Sequence, residues 1–352
     1  MHHHVRTLMA SAFLAASTML LAPPAHAGVG GTVGDDSYGA KVEVHLSGDV
    51  SGSLVGSVPG PPPMCWWERY HTLDTVKVDP SDPEAVQDYY NEEVRPWLTG
   101  HAAIGQLANP DGDYFASIIK QVKAGKDMTF YSMKTRGGAV TAKPGSEAYD
   151  QQVSTVAKAC GAPTVQGPYG LVTVALQAFE TGQQPPPAVD PKDLAAYAYE
   201  VMDLKKPALE WNPHLATNDD ATLVNLPTWL WTRDPTAVEE RQVTAEAAGI
   251  SVTVTAQPDG MTISSPVGGT ECTAEQARTA YAEGVPEASA CVFTFDRGSF
   301  AYAGGFPVES VTGWKAAWTS NAGPGGELEP KAVEATTDIP VVEVQSRVDS
   351  TS

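Results

Sequence analysis

Leu223-Val224-Asn225-Leu226-Pro227-Thr228-Trp229-Leu230-Trp231 divides the chain into two parts with different periodicities. Upstream the sequence is helical in pattern, acidic and punctuated by proline; downstream, apolar residues recur in steps of two. Within the stretch, Leu223, Pro227, Trp229 and Trp231 fall on one period-two face and Val224, Leu226 and Leu230 on the other. Two apolar faces suit a strand covered on both sides. Pro227 has no amide to give to a ladder, which predicts a strand at a sheet edge or a bulge.

Downstream, Ile250, Val252 and Val254 alternate with polar neighbours. Pro258-Asp259-Gly260 reads as a turn, with Met261 and Ile263 opening a return strand. Cys291, Phe293 and Phe295 share one face, and Val308, Trp314, Ala316 and Trp318 share the face of a longer run. Gly323-Pro324-Gly325-Gly326 reads as another turn, and 340–344 as a last strand. Seven or so short strands with an internal cysteine pair predict an immunoglobulin-like β-sandwich over 222–346, able to fold alone. Leu230 is expected in its core and the two tryptophans against the preceding helix. Residues 347–352 are a polar tail.

Upstream, Asp190-Pro191-Lys192-Asp193 supplies an N-cap, a first-turn proline and an early acid. Leu194, Tyr197, Ala198, Val201 and Met202 follow as a packing stripe, so 188–221 reads as a bridging helix and linker. Residues 64–187 read as a mainly helical domain. Its helices open at Ser81 or Asp82, at about 114, and at Glu147; the last two stop at Gly125 and Gly161. Residues 28–63, rich in Gly, Ser and Pro, read as a flexible leader with one short strand around Val42–Leu46. Residues 1–27 have the anatomy of a secretory signal: Arg6, an apolar run from Leu8 to Leu21, and Ala25-His26-Ala27 as the cleavage site. The fold class is α+β: an irregular helical N-terminal domain followed by the sandwich.

The chain holds 22 Lys and Arg against 42 Asp and Glu, a formal charge of −20. Such a chain repels phosphate backbones and carries no basic stripe, which argues against a nucleic-acid partner. No apolar run after the signal reaches the ~18 residues of a membrane span. Cys65, Cys160, Cys272 and Cys291 are an even set in an exported chain, so two disulfides are expected. Of the three pairings, Cys65–Cys160 with Cys272–Cys291 keeps each bridge inside one domain.

The chemistry-bearing motifs are mostly absent. The near miss to a P-loop, Ala124-Gly125-Lys126-Asp127, puts an acid where phosphate would sit. There is no Rossmann glycine pattern, no G-x-S-x-G and no H-E-x-x-H. His45, His71, His101 and His214 stand apart from one another. No cofactor and no metal are assigned. Glu92-Glu93, Asp111/Asp113, Asp219-Asp220 and Glu239-Glu240 are carboxylate pairs of the kind glycoside hydrolysis uses, in a chain where acids are abundant. Trp66, Trp67, Trp211, Trp229, Trp231, Trp314 and Trp318 fall near domain edges or strands. Core packing accounts for most of them, and Trp229 and Trp231 are the candidate binding residues.

The Leu-Val-Asn-Leu-Pro-Thr-Trp-Leu-Trp segment, the helix beginning Val189-Asp190-Pro191 and the two-cysteine strand-rich tail resemble a family of uncharacterised secreted actinobacterial proteins. The likeness covers roughly 187–345. It implies export and a β-rich C-terminal domain, and no particular chemistry. These readings lead to a secreted, non-catalytic binding or structural protein of the cell envelope, its partner a glycan or a protein. The opposing reading is an envelope-directed hydrolase with a carboxylate-based site.

Overall fold

The computed structural model describes residues 42–52, 54, 56–72, 82–89, 92, 113–167, 169–215 and 220–344. The signal at 1–27 and the tail at 347–352 lie outside these residues. The fold is α+β, with strands predominating.

In chain order the elements are β1 (Glu43–Gly48), β2 (Gly56–Pro59), β3 (Cys65–Thr72), α1 (Pro83–Tyr89), α2 (Asp113–Lys123), β4 (Met128–Thr135), α3 (Glu147–Ala159), β5 (Thr164–Gly167), β6 (Gly170–Thr173) and β7 (Leu176–Glu180). Then come α4 (Pro191–Glu200), β8 (Leu209–Asn212), β9 (Thr222–Leu223), β10 (Pro227–Thr232), β11 (Arg241–Ala247), β12 (Ile250–Ser265), β13 (Gly268–Cys272) and α5 (Ala274–Arg278). The chain closes with β14 (Val292–Thr294), β15 (Phe306–Ser320), β16 (Gly323–Ile339) and β17 (Val341–Val342).

One large antiparallel sheet dominates, in the order β16-β15-β12-β11-β1-β2, with β13 paired to the far half of β12. Its period-two sequences bury one face and leave the other to water. Val44, Leu46, Val243, Ala245, Val252, Val254, Trp314 and Ala316 point inward. On that face α4 lays Leu194, Ala195, Ala198 and Tyr199, all buried, over the halves of the strands nearest β1. The other halves, with Met261, Ile263, Phe306 and Val308, face Leu209, Leu230 and Phe295 from the region of the small sheet β14-β10-β8.

The sheet is open and its strands are long, which departs from the expected immunoglobulin-like sandwich of short strands. Pro258-Asp259-Gly260 is not a turn. Both halves of β12 pair with β15, and the register slips once between Pro258 and Met261, so the three residues form a bulge. Gly260 sits at φ 111°, a conformation that glycine adopts freely. Gly323-Pro324-Gly325-Gly326 opens β16, and the chain reverses just before it at Asn321 and Ala322.

The leader reading also changes. β1 and β2 join the large sheet, His45 standing opposite Glu246 and Val44 opposite Val58. The strand at 43–48 is paired and its inward residues are buried, so this part is an integral edge rather than a flexible arm.

Residues 64–187 contain more strand than a helical domain would. β3, β4 and β7 form an antiparallel sheet, and β5 and β6 a hairpin. Helices α2 and α3 fall where the periodicity puts them, and Ser146 caps α3 by accepting from the Tyr149 amide. The helix expected to open at Ser81 or Asp82 is described only as α1, where the Asp82 carboxylate accepts from the amides of Glu84 and Ala85. Cys65–Cys160 ties the start of β3 to the end of α3. Trp67 packs edge-on against Phe179 at 5.1 Å and donates its indole N–H to the Cys160 carbonyl at 2.8 Å.

Candidate functional site: an aromatic sheet face

The stretch from Leu223 to Trp231 is not one strand. Thr222–Leu223 pairs in parallel with Val341–Val342, and the chain then turns, Leu226 N–H reaching back to the Leu223 carbonyl. Asn225 sits at φ 60° in that turn, a region asparagine tolerates better than most residues. β10 begins at Pro227. It lies in the middle of its small sheet, not at an edge, with β8 on one side and β14 on the other. Pro227 is tolerated because it is the first residue of the strand.

Leu230 points inward and is fully buried, as the alternation requires. Its amide donates to the Cys291 carbonyl at 2.8 Å. Thr228 and Thr232 share its face and are buried too. The opposite face carries Pro227, Trp229 and Trp231. Directly across in the ladders stand Thr294 beside Pro227, Val292 and Asn212 beside Trp229, and Glu210 beside Trp231.

Trp229 does not pack on α4, as the sequence suggested, because α4 covers a different part of the large sheet. It packs edge-on against Tyr281, with ring centres 5.3 Å apart. Trp229 is consequently only 7% exposed, whereas Tyr281 is 48% exposed. Trp231 is half-buried, and its indole N–H donates to the Glu210 carboxylate at 3.2 Å. Arg233 reaches the other oxygen of Glu210 at 3.4 Å. The face therefore presents two aromatic rings beside a carboxylate, a guanidinium and an amide.

Tyr281 has no periodic signal, since it lies in the irregular segment 279–286. What places it is covalent. The Cys272–Cys291 disulfide joins the end of β13 to the residue before β14 and closes a loop that contains α5 and Tyr281. Within that loop Thr273 and Gln276 form a reciprocal capping box that fixes the start of α5. Both disulfides pair as the domain argument expected, and none of the four cysteines is free.

The remaining candidates do not converge. His45 is exposed on the outer face of β1, and His214 is exposed with its ring nitrogen 3.3 Å from the Trp211 carbonyl. His101 lies outside the described residues, as do Glu93, Asp111 and Asp219. The side chains of His71 and Asp113 are likewise outside the description. Glu239 is half-buried, and exposed Glu240 accepts from Gln257 at 3.1 Å. Trp314 and Trp318 are core residues beneath α4. Among the described residues no group of three or more His, Cys, Asp or Glu is arranged to hold a metal ion. No protein family, curated protein or solved structure matches the chain.

Proposed function

We propose that the protein is a secreted, non-catalytic binding protein of the cell envelope, and that its ligand is a glycan taken on the aromatic face of the small sheet. The observation that carries this reading is the half-exposed Tyr281 ring standing on Trp229, next to Trp231 and the Glu210–Arg233 pair. Sugar rings are amphipathic, with C–H faces that lie on aromatic rings and hydroxyls that need planar polar partners at the rim. Glu210, Arg233 and Asn212 are such partners. Export is supported by the signal pattern at 1–27 and by two disulfides, which persist in oxidising compartments. No described helix is long and apolar enough to cross a membrane.

The test is sedimentation of the purified full chain with insoluble cell-wall polysaccharide, followed by calorimetry with soluble fragments. Trp231→Ala and Tyr281→Ala should each weaken binding about tenfold, the scale of a lost contact worth about 1.4 kcal/mol. Near-UV circular dichroism checks that each variant is folded. Unchanged binding in a folded double variant, or no retention of the wild type, would sink the proposal.

A further inference from the structure

We propose that the C-terminal half of β16 is a docking edge for a basic, extended segment of another protein, which adds to the large sheet as a further strand. β16 is the last strand of the sheet, and among the described residues it pairs only with β15. Every second residue of such a strand turns its amide and carbonyl away from the sheet, a ready template for another chain.

The two halves of β16 are unequal in this respect. The first half is blunted: it carries Pro324 and Pro330, and its register slips between the pairs Trp314–Lys331 and Ala316–Leu328. Prolines and bulges are the ordinary protection of an edge. From Ala332 to Ile339 neither occurs, and the register runs unbroken opposite Phe306–Gly313. The open stretch ends there, because after Pro340 the chain continues as β17 and pairs with β9. The opposite edge of the sheet offers no equivalent: β2 has four residues and ends at Pro59, and β13 has five and ends at the disulfide-bonded Cys272.

Lysine is the residue that most often guards an open edge. Lys331 is the only lysine of β16, and it is turned inward over Tyr199. The open half instead carries Glu334 and Asp338, both exposed on the outer face. Glu309 of β15 lies between them, opposite Thr336, and is exposed as well. Among the described residues none of these three carboxylates is in an ion pair; Glu309 accepts only from the Ser264 hydroxyl at 3.3 Å.

This row of carboxylates selects the occupant. A second copy of the chain would bring the same acids to the same edge and a formal charge of −20 with it. A strand with Lys or Arg at every second residue would instead set its cations against Glu334, Glu309 and Asp338. Its alternate residues would be apolar, because they would extend over half-buried Val333 on the inner face. Backbone pairing would supply the fit, and the charge pattern would supply the specificity.

The experiment uses the full chain and three synthetic peptides of eight residues: one alternating lysine and valine, one alternating glutamate and valine, and a lysine–valine peptide N-methylated at every second amide. Fluorescence anisotropy should show the first peptide binding at least tenfold more tightly than the other two, with hydrogen-exchange protection confined to 332–339. Glu334→Lys with Asp338→Lys should reverse the preference towards the glutamate peptide. Equal binding of the N-methylated peptide would overturn the proposal, because charge alone would then suffice. So would absence of binding, protection elsewhere in the chain, or concentration-dependent self-association that blocks the edge.

Discussion

Lys331 on β16 lies 4.1 Å above the ring of Tyr199 on α4 and donates a 2.8 Å hydrogen bond to the carbonyl oxygen of the same residue. That carbonyl belongs to the last turn of α4, where no further helical amide is available to satisfy it. A cation there also meets the negative end of the helix dipole. The Tyr199 hydroxyl in turn donates to the Trp314 carbonyl at 3.5 Å, so helix, edge strand and neighbouring strand are joined at one point.

Replacing this cation tests how much the clamp contributes. Lys331→Met keeps the packing stem and removes the charge and the hydrogen bond. It should cost about 1 kcal/mol, the scale of the lost hydrogen bond, because burial of the ammonium offsets much of its attraction to the ring and to the helix end. Urea unfolding should show a lower midpoint with an unchanged slope.

The two tyrosines of α4 should set the alkaline limit of stability. Burial raises the pKa of Tyr197 and Tyr199 above 10.0, with the charge of Glu200 adding to the shift at Tyr197. A raised folded-state value gives stability that is complete below the unfolded value and is lost as pH rises through the folded one. Burial lowers Lys331 below 10.5, and Glu200 opposes that shift, so its contribution runs the other way and stability increases up to 10.5. The tyrosine loss sets in above 10.0, whereas the lysine gain ends at 10.5. The unfolding midpoint should therefore fall at strongly alkaline pH, and Tyr199→Phe should flatten the fall.

At the acid end the corresponding group is Asp234. Its carboxylate accepts from the Thr236 hydroxyl at 2.7 Å and the Thr236 amide at 3.0 Å, capping the turn of 3-10 helix at Pro235–Val238 that leads into β11. The Thr236 hydroxyl bond is the largest cause of its pKa falling below 3.8, and Lys205 and Arg241 add to it. A lowered folded-state value means stability present above 3.8 and lost as pH falls through the folded value. Asp234→Ala should cost about 1 kcal/mol at neutral pH, a typical capping loss. Wild type and variant should converge in acid.

The two disulfides should separate stability from binding. Cys65 and Cys160 are 95 residues apart, and the loop-closure relation gives about 4 to 5 kcal/mol for that bridge. Cys272 and Cys291 are 19 apart, worth about 3 kcal/mol. Only the smaller bridge holds the loop that places Tyr281 on Trp229. Replacing Cys272 and Cys291 by alanine should weaken polysaccharide retention, whereas the costlier loss of Cys65–Cys160 should leave it intact in any molecule that remains folded.

How much of this was legible follows from the range of each signal. α3 and α4 were visible because caps, first-turn residues and apolar stripes are local. The inward faces of β12 and β15 were visible because alternation is local too. Pro258-Asp259-Gly260 misled because a bulge and a hairpin use the same residue types, and only the partner strand distinguishes them. β4 was missed because Met128–Tyr131 and Ser132–Met133 are all buried, so it has no alternation to find. The pairing of β1 with β11 spans about two hundred positions and leaves no local trace. At the site, the parity of Trp229 and Trp231 was readable and Tyr281 was not.

That long-range pairing changes what should fold alone. Cutting at 222 removes β8, which pairs with β10 residue by residue from Leu209 to Asn212. It removes α4, and with it the cover over Val252, Val254, Trp314 and Ala316. It also removes β1, leaving the backbone of β11 open on one side. Burying a single large apolar side chain is worth about 1.5 to 3 kcal/mol, so uncovering several of them exceeds the few kcal/mol by which a domain is stable. Residues 222–346 alone should therefore give no cooperative melt in oxidising buffer. The chain that crosses from the large sheet to residues 64–187 leaves and returns at one place: Met64 N–H donates to the Ala188 carbonyl at 2.7 Å, and Ala188 N–H to the Cys65 carbonyl at 2.9 Å. Joining 42–63 to 188–344 through a short glycine linker should thus restore the sheet without the intervening residues. Circular dichroism of the two forms decides the matter. A cooperative transition in 222–346, or its absence in the joined form, would show that the large sheet does not depend on β1, β8 and α4 in the way their pairing and burial imply.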